Sequence, residues 1–136
     1  DVKMLNSVTA IAVGDSGKIL RTSDAGQNWI EKFSRPHVTW NALAFANQQK
    51  GVAVGDSSKF AFTFDGGDSW IFVDSSSTRH LTAASYMGEF TLYVGDQLGT
   101  VYYSTDDGAT WTSMSFGSGP VQDIFFTAGG LQQYWG

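Results

Sequence analysis

A unit of 41 residues recurs three times along this chain and constrains the fold more than any other feature. The copies read IAVGDSGKILRTSDAGQNW from residue 11, VAVGDSSKFAFTFDGGDSW from residue 52 and LYVGDQLGTVYYSTDDGATW from residue 92. Within them, one aspartate and one tryptophan each repeat at intervals of 41 residues. A fixed period of this length is typical of repeat architectures, in which each copy folds as one structural unit.

Each copy contains four short runs of strand-forming residues, which we number first to fourth in chain order. The middle copy shows them as WNALAFA, GVAVG, KFAFT and WIFVD, separated by clusters rich in Gly, Asp and Ser. Such runs predict β-strands, and no segment shows a sustained helical period. Four strands in about 41 residues match one blade of a β-propeller. The predicted fold class is therefore all-β, a propeller of four-stranded blades.

The two ends of the chain predict how many blades it holds. VKML at residues 2–5 lies where a shortened first strand is expected, and residues 121–136 match the first two strands of a fourth copy. We predict one domain, residues 1–136, with repeats at about 1–34, 35–75 and 76–116 and a half-repeat at 117–136. Three and a half blades do not close a ring, and open edges expose unpaired backbone groups. Two explanations stay open: a homodimer, whose 28 strands would make seven blades, or a piece of a longer propeller.

Composition argues against several classes of function. The formal net charge is −5 and no two Lys or Arg residues are adjacent, which argues against binding to the phosphate backbone of nucleic acids. No stretch approaches the roughly 18 apolar residues of a membrane span. The chain has no cysteine, so disulfide bonds contribute nothing to its stability.

Each copy contains one polar turn with the pattern [Ser/Thr]-x-Asp-x-Gly-x-[Ser/Thr/Asn]-Trp, which we name the box turn (residues 22–29, 63–70 and 104–111). Its aspartate is expected to accept backbone N–H bonds two residues on, and its glycine to supply a left-handed conformation. Its tryptophan is expected to bury a large ring between sheets. A calcium loop would need an acid at the twelfth position, where Arg35, Ser76 and Gly117 stand instead. We therefore predict no metal site and a structural role for Asp24, Gly26, Trp29, Asp65, Gly67, Trp70, Asp106, Gly108 and Trp111.

The box turn resembles the Asp-box, or BNR, repeat of sialidases, sortilin-type receptors and several bacterial propellers. The longer segment GDSGKILRTSDAGQNW resembles the repeat of propellers related to the photosystem II assembly factor. This second resemblance covers essentially the whole chain. It implies a seven-bladed propeller, usually exported, that acts as a scaffold for other proteins rather than as a catalyst.

Scarce residue types cluster on the loops that a propeller commonly uses for binding. In this fold, the loops joining a fourth strand to the next first strand share one face with the turns joining second and third strands. Both histidines and two of the three arginines fall on these loops, in SRPHVTW from residue 34 and SSSTRHL from residue 75. The alternatives are a core position for Trp40 and a turn-capping role for each Val-Gly-Asp aspartate (Asp15, Asp56 and Asp96). The candidate binding residues are Arg35, His37, Trp40, Arg79, His80, Asp56 and Asp96.

These features favour a non-catalytic scaffold or protein-interaction module, with a carbohydrate-binding lectin as the alternative. A sialidase-type glycosidase is less favoured, because it needs an arginine triad, a Tyr/Glu pair and a general acid. The chain has three arginines and two glutamates, and their spacing predicts no convergent site. We expect no catalytic residue, no cofactor, a protein or glycan partner, self-association, and an extracytoplasmic location.

Overall fold

The computed structural model describes residues 1–127 and 130–135. Among these residues the regular elements are strands and one short 3-10 turn, Asp56–Ser58, and no helix is long and apolar enough to cross a membrane. The strands are β1 (Val2–Met4), β2 (Ala10–Val13), β3 (Lys18–Thr22), β4 (Ile30–Ser34), β5 (Trp40–Phe45), β6 (Gly51–Gly55), β7 (Lys59–Thr63), β8 (Ile71–Asp74), β9 (Leu81–Met87), β10 (Thr91–Asp96), β11 (Thr100–Ser104), β12 (Thr112–Ser115), β13 (Val121–Thr127) and β14 (Gly130–Trp135).

The strands form three four-stranded sheets and one strand pair, all antiparallel and in chain order. We name them blade 1 (β1–β4), blade 2 (β5–β8), blade 3 (β9–β12) and the half-blade (β13–β14). This architecture confirms the predicted β-propeller of about three and a half blades. The predicted strands agree with the observed ones to within about one residue, and each fourth strand begins just after its box tryptophan.

Neighbouring blades bury apolar side chains between their facing sides. Strand register places Leu43, Ala53 and Ala61 together on the side of blade 2 that faces blade 1. All three are at most 1 % exposed, and they pack with Ile11 and Ile19 of blade 1. The next two interfaces repeat this arrangement. Their buried residues are Ala42, Ala44, Val52, Val54, Phe60, Phe62, Leu81, Leu92 and Val94 between blades 2 and 3, and Ala83, Val101, Val121 and Ile124 between blade 3 and the half-blade.

Polar side chains also tie blade 2 to blade 3 and blade 3 to the half-blade, at the start of β5 and of β9. Asn41 Nδ2 donates to the Leu81 carbonyl oxygen over 2.8 Å, and Thr82 Oγ1 donates to the Val121 carbonyl oxygen over 2.7 Å. Asn41 and Thr82 occupy equivalent positions in β5 and β9, one repeat apart. The inter-blade spacing is therefore fixed by recurring hydrogen bonds as well as by packing.

The box tryptophans of blades 2 and 3 pack against the preceding blade. Trp70 is 9 % exposed and belongs to the cluster around Ile11, while Trp111 stacks on Phe60 with ring centroids 5.4 Å apart. Trp29 is 40 % exposed. The prediction that every box tryptophan is buried is therefore wrong for Trp29, because among the described residues no blade precedes blade 1.

The uncovered side of blade 1 carries apolar side chains, and we name it the open face (Val2, Met4, Ala12, Leu20 and Trp29). Cross-strand register aligns Val2 with Ala12 and Ala12 with Leu20. These three positions are one repeat before Leu43, Ala53 and Ala61, which are buried under blade 1. Val2 and Met4 are 56 % and 61 % exposed. Blade 1 thus presents the same kind of surface that blade 2 buries.

Candidate binding site

The inter-blade loops are hydrogen-bonded to the turns between second and third strands. Arg35 N donates to the Gly17 carbonyl oxygen over 2.9 Å, and Gln97 N donates to the His80 carbonyl oxygen over 3.0 Å. The box turns lie at the opposite end of the blades, next to the turns between first and second strands. We name the end formed by the inter-blade loops the loop face; its segments are residues 14–17, 34–40, 56–58, 75–81, 96–99 and 116–120.

Four of the seven predicted binding residues meet on the loop face between blades 2 and 3. Arg79 Nη1 lies 3.1 Å from Asp96 Oδ2, and His80 Nδ1 lies 3.0 Å from Asp56 Oδ1. Asn41 Nδ2 donates to the same Asp56 oxygen over 2.9 Å. The side chains of Arg79, His80 and Asp56 are 41 %, 42 % and 40 % exposed. We name these four residues the Arg79–His80 cluster, and it presents both signs of charge to a ligand.

Asp96 anchors this cluster from inside the protein. Its carboxylate is fully buried and accepts bonds from the backbone N–H groups of Leu98 and Thr100, both over 2.9 Å. The Tyr102 hydroxyl donates to its other oxygen over 3.1 Å. Burial, followed by the neighbouring charge of Asp96, raises the pKa of Tyr102. With Arg79 added, four donors satisfy one buried acid.

The three Val-Gly-Asp aspartates do not share one role, contrary to the prediction of a turn cap in each. Of the three side chains, only that of Asp96 accepts a hydrogen bond from the backbone of its own turn among the described residues. Asp56 begins a 3-10 turn and binds Asn41 and His80 instead. Asp15 is exposed.

The other three predicted binding residues lie between blades 1 and 2. Trp40 is 2 % exposed and its Nε1–H donates to the Gly17 carbonyl oxygen over 3.1 Å, so it is a core ring and offers no stacking surface. The Arg35 guanidinium lies 4.5 Å above the ring of Phe72. His37 is exposed and has a φ of 69°. These residues do not join the Arg79–His80 cluster.

A cavity of about 150 Å³ adjoins the cluster, and sequence reasoning did not find it. We name it the inter-blade cavity. Its apolar walls come from both sides of the gap between blades 2 and 3, and serines complete the lining. The lining residues are Phe60, Leu81, Val94, Tyr102, Trp111, Ser58, Ser75 and Ser77.

The cavity exists where the repeat departs from its own pattern at Ser58. The equivalent positions hold Gly17 and Gly99, whose φ values are 72° and 88°, and an added Cβ there would lie 2.0 and 2.7 Å from a loop carbonyl oxygen. The loop therefore lies directly on the glycine in those repeats. Ser58 keeps a φ of 51° but carries a side chain, and its N–H and Oγ both donate to the Arg79 carbonyl oxygen. The Ser75–Ser77 segment and Ser58 line the cavity together, whereas the equivalent loops lie directly on Gly17 and Gly99. The Gly-to-Ser departure was the sequence signal for it.

Each box turn is closed by its own side chains. In the first copy, Thr22 Oγ1 donates to Asp24 Oδ1 over 2.7 Å and accepts from Gly26 N, while Asn28 donates to both oxygens of Asp24. The acid thus accepts an N–H four residues on, not two as predicted, because the hydroxyl takes the N–H of the glycine. The other two turns repeat these bonds.

These bonds hold the box aspartates in their charged form. The backbone N–H of Asn28, with its side chain, lowers the pKa of Asp24 from 3.8 to about 2. The Thr110 hydroxyl and N–H lower the pKa of Asp106 to about 2. The carboxylate oxygens accept their hydrogen bonds from residues of the turn itself, as expected if the aspartate has a structural role. Among the described residues no group of three His, Cys, Asp or Glu is arranged to hold a metal ion.

The residues that a sialidase would bring together lie apart. Arg21 donates to the Gly66 carbonyl oxygen near the box turns, Arg35 covers Phe72, and Arg79 binds Asp96. Arg21 therefore lies at the end of the blade opposite the loop face. Glu31 pairs with Lys18, and Glu89 contacts Asn47 and Lys50 through its side chain and backbone.

The fold and these repeats define a β-propeller, of which this chain forms three and a half blades. No protein-family model matches the chain, and no curated protein matches its sequence. Solved structures do match. "YCF48 bound to D1 peptide" has a TM-score of 0.79 and 20 % identity, over 96 % of this chain and 44 % of that chain. YCF48 from Cyanidioschyzon merolae has a TM-score of 0.72 and 15 % identity, over 96 % of this chain and 47 % of that chain.

The fold is also shared with an enzyme. An ancestral GH74 enzyme matches with a TM-score of 0.72 and 15 % identity, over 93 % of this chain and 20 % of that chain. This chain therefore spans less than half the length of the two YCF48 structures. At these identities the similarity establishes the shared fold, and function has to be argued from the site.

Proposed function

We propose that this chain is a non-catalytic propeller scaffold that binds a segment of another protein on its loop face. The observation that carries the proposal is the position of the Arg79–His80 cluster. It places a half-exposed arginine and a half-exposed histidine of the inter-blade loop, with the acid Asp56 of the neighbouring turn, beside an apolar cavity. A surface with mixed charge next to an apolar pocket suits a polypeptide, whose side chains and backbone supply both kinds of contact.

The comparisons support a protein ligand. One structural neighbour is described as bound to a peptide, and the resemblance of the repeats points to the same group of propellers. The separation of the arginines and glutamates gives no support to glycoside hydrolysis, which needs two convergent carboxylates. The lectin alternative has less support, since the inter-blade cavity is mainly apolar. A glycan array tests that alternative directly.

Selection of binding peptides from a random library tests the scaffold proposal. Peptides selected against the wild-type protein should lose at least about tenfold in affinity on His80→Ala, because that change removes one member of the cluster. Gln27→Ala, an exposed residue at the box-turn end, is the matched control and should leave binding unchanged. Equal loss in both variants, or no loss on His80→Ala, would count against the loop face as the binding surface.

We further propose that another blade covers the open face, supplied by a second copy in a homodimer or by additional repeats of a longer protein. The apolar residues of that face occupy the positions that blades 2 and 3 bury. Light scattering on the purified chain distinguishes the sources. A dimer that Trp29→Glu converts to monomer supports the second copy, whereas a monodisperse monomer contradicts it.

We also propose an extracytoplasmic location, which rests on the resemblance to exported propellers. Fractionation of the source cells, followed by immunodetection, tests it. Recovery of the protein only with cytoplasmic markers would exclude this location.

A further inference from the structure

The inter-blade cavity offers hydroxyl protons at one part of its lining. Ser75 Oγ accepts from Ser77 N over 3.2 Å, and Ser77 Oγ accepts from Arg79 N over 3.3 Å. A serine hydroxyl accepts and donates at the same time, and neither of these two donates to another described residue. Ser58 differs, because its hydroxyl already donates to the Arg79 carbonyl oxygen. Two hydroxyl donors are therefore left for a ligand oxygen.

The remaining walls select for a neutral ring. The rings of Phe60 and Trp111 stack 5.4 Å apart and, with Leu81 and Val94, give an apolar surface. None of the described lining residues is charged. An apolar space of about 150 Å³ is the size that holds one benzene ring. A sugar would leave most of its hydroxyls unpaired against those walls, which is costly, and no lining residue carries a charge to pair with a charged group.

We propose that the inter-blade cavity binds the phenol ring of a tyrosine side chain from a partner protein. The ring packs against the apolar walls, the phenolic oxygen accepts from the hydroxyl of one of Ser75 and Ser77, and its own proton is donated to the oxygen of the other. The neighbouring Arg79–His80 cluster then contacts the polypeptide that carries the tyrosine. The identity of the occupant as part of a protein rests on the proposed function, whereas the preference for a phenol rests on the cavity alone.

NMR titration of the ¹⁵N-labelled protein tests the site with three defined probes: p-cresol, toluene and N-acetyl-tyrosinamide. We expect p-cresol to shift the Trp111 indole N–H and the Ser77 amide. We expect it to bind at least about fivefold more tightly than toluene, which lacks the hydroxyl. Substituting both Ser75→Ala and Ser77→Ala should remove that difference, with toluene binding retained. N-acetyl-tyrosinamide should bind at the same place as p-cresol.

A filled cavity provides the control for location. Ser77→Trp places an indole in the lining and should weaken p-cresol binding at least about tenfold. Thr78→Trp adds the same ring to an exposed position of the same loop and should not. The inference is overturned if p-cresol shifts neither probe signal, if the serine double variant keeps its preference for p-cresol, or if Ser77→Trp binds as the wild type does. If p-cresol binds and N-acetyl-tyrosinamide does not, the cavity is a site for free phenols, and the proposal of a tyrosine side chain is overturned. Failure of the peptide selection alone would refute the scaffold and leave the p-cresol result intact.

Discussion

The Asp96 carboxylate is fully buried and lies 3.1 Å from the Arg79 guanidinium, which is 41 % exposed. One end of this pair is thus fixed inside blade 3, and the other end reaches the surface of the inter-blade loop. The loop is held at Arg79 from two sides, because the side chain binds Asp96 and the carbonyl oxygen accepts two bonds from Ser58.

Removal of the buried acid should destabilise the protein strongly. Asp96→Ala leaves four donors without their acceptor, and we expect a loss of about 3–5 kcal/mol in the free energy of unfolding. Asp15→Ala, at the equivalent exposed position, should change it by no more than about 0.5 kcal/mol. Urea unfolding followed by circular dichroism measures both. If both variants lost a similar free energy of unfolding, the distinct roles assigned to Asp96 and Asp15 would be contradicted.

The box tryptophans should differ in their contribution to stability although their sequence context is the same. Trp70→Ala removes a ring that is 9 % exposed between two blades, and we expect a loss of about 3–5 kcal/mol. Trp29→Ala removes a ring that is 40 % exposed on the open face, and we expect about 1 kcal/mol or less. Denaturant unfolding of the isolated chain provides the comparison. A large loss on Trp29→Ala would show that another surface covers the open face in solution.

Stability should fall as the pH is lowered from about 5 to 2. The folded-state pKa values of Asp24 and Asp106 are about 2, below the ordinary value of 3.8. The hydrogen bonds of these carboxylates therefore stabilise the fold at any pH above that ordinary pKa. That stabilisation is lost as the pH falls through about 2. The double change Asp24→Asn and Asp106→Asn should flatten this dependence, whereas Asp15→Asn should leave it in place. The midpoint of urea unfolding, recorded from pH 2 to 6, tests the expectation; an unchanged slope in the double variant would disprove it.

A methyl group at Gly17 should not be tolerated. Its φ is 72°, and an added Cβ would lie 2.0 Å from the Arg35 carbonyl oxygen, so Gly17→Ala should cost about 3 kcal/mol. Gly14→Ala is the matched control in the same turn, since an added Cβ there meets nothing within 4 Å. We expect it to change the melting temperature by only a few degrees. Equal effects of the two changes would argue against the close approach of loop and turn.

The strands could be predicted from sequence because every run recurs at a fixed period and is bounded by turn residues. Hydrogen bonding within the box turn could be predicted for the same reason, since Thr22, Asp24 and Gly26 lie within reach of one another along the chain. The exposure of Trp29 could not be predicted, because it depends on a neighbouring blade and not on the local sequence. The same limit applies to Asp56 and Asp96, which share the Val-Gly-Asp motif but bind different side chains, Asn41 and His80 for Asp56 and Arg79 and Tyr102 for Asp96.

The inter-blade packing has a consequence for how such chains lengthen. Trp70 and Trp111 each belong to one repeat and pack on the repeat before it. A duplicated repeat therefore contains the tryptophan ring that packs on the repeat before it, and this contact needs no compensating substitution in the other repeats. The contact that joins two neighbouring blades is thus carried by the later repeat of each pair, so that growth by whole units brings its own junction.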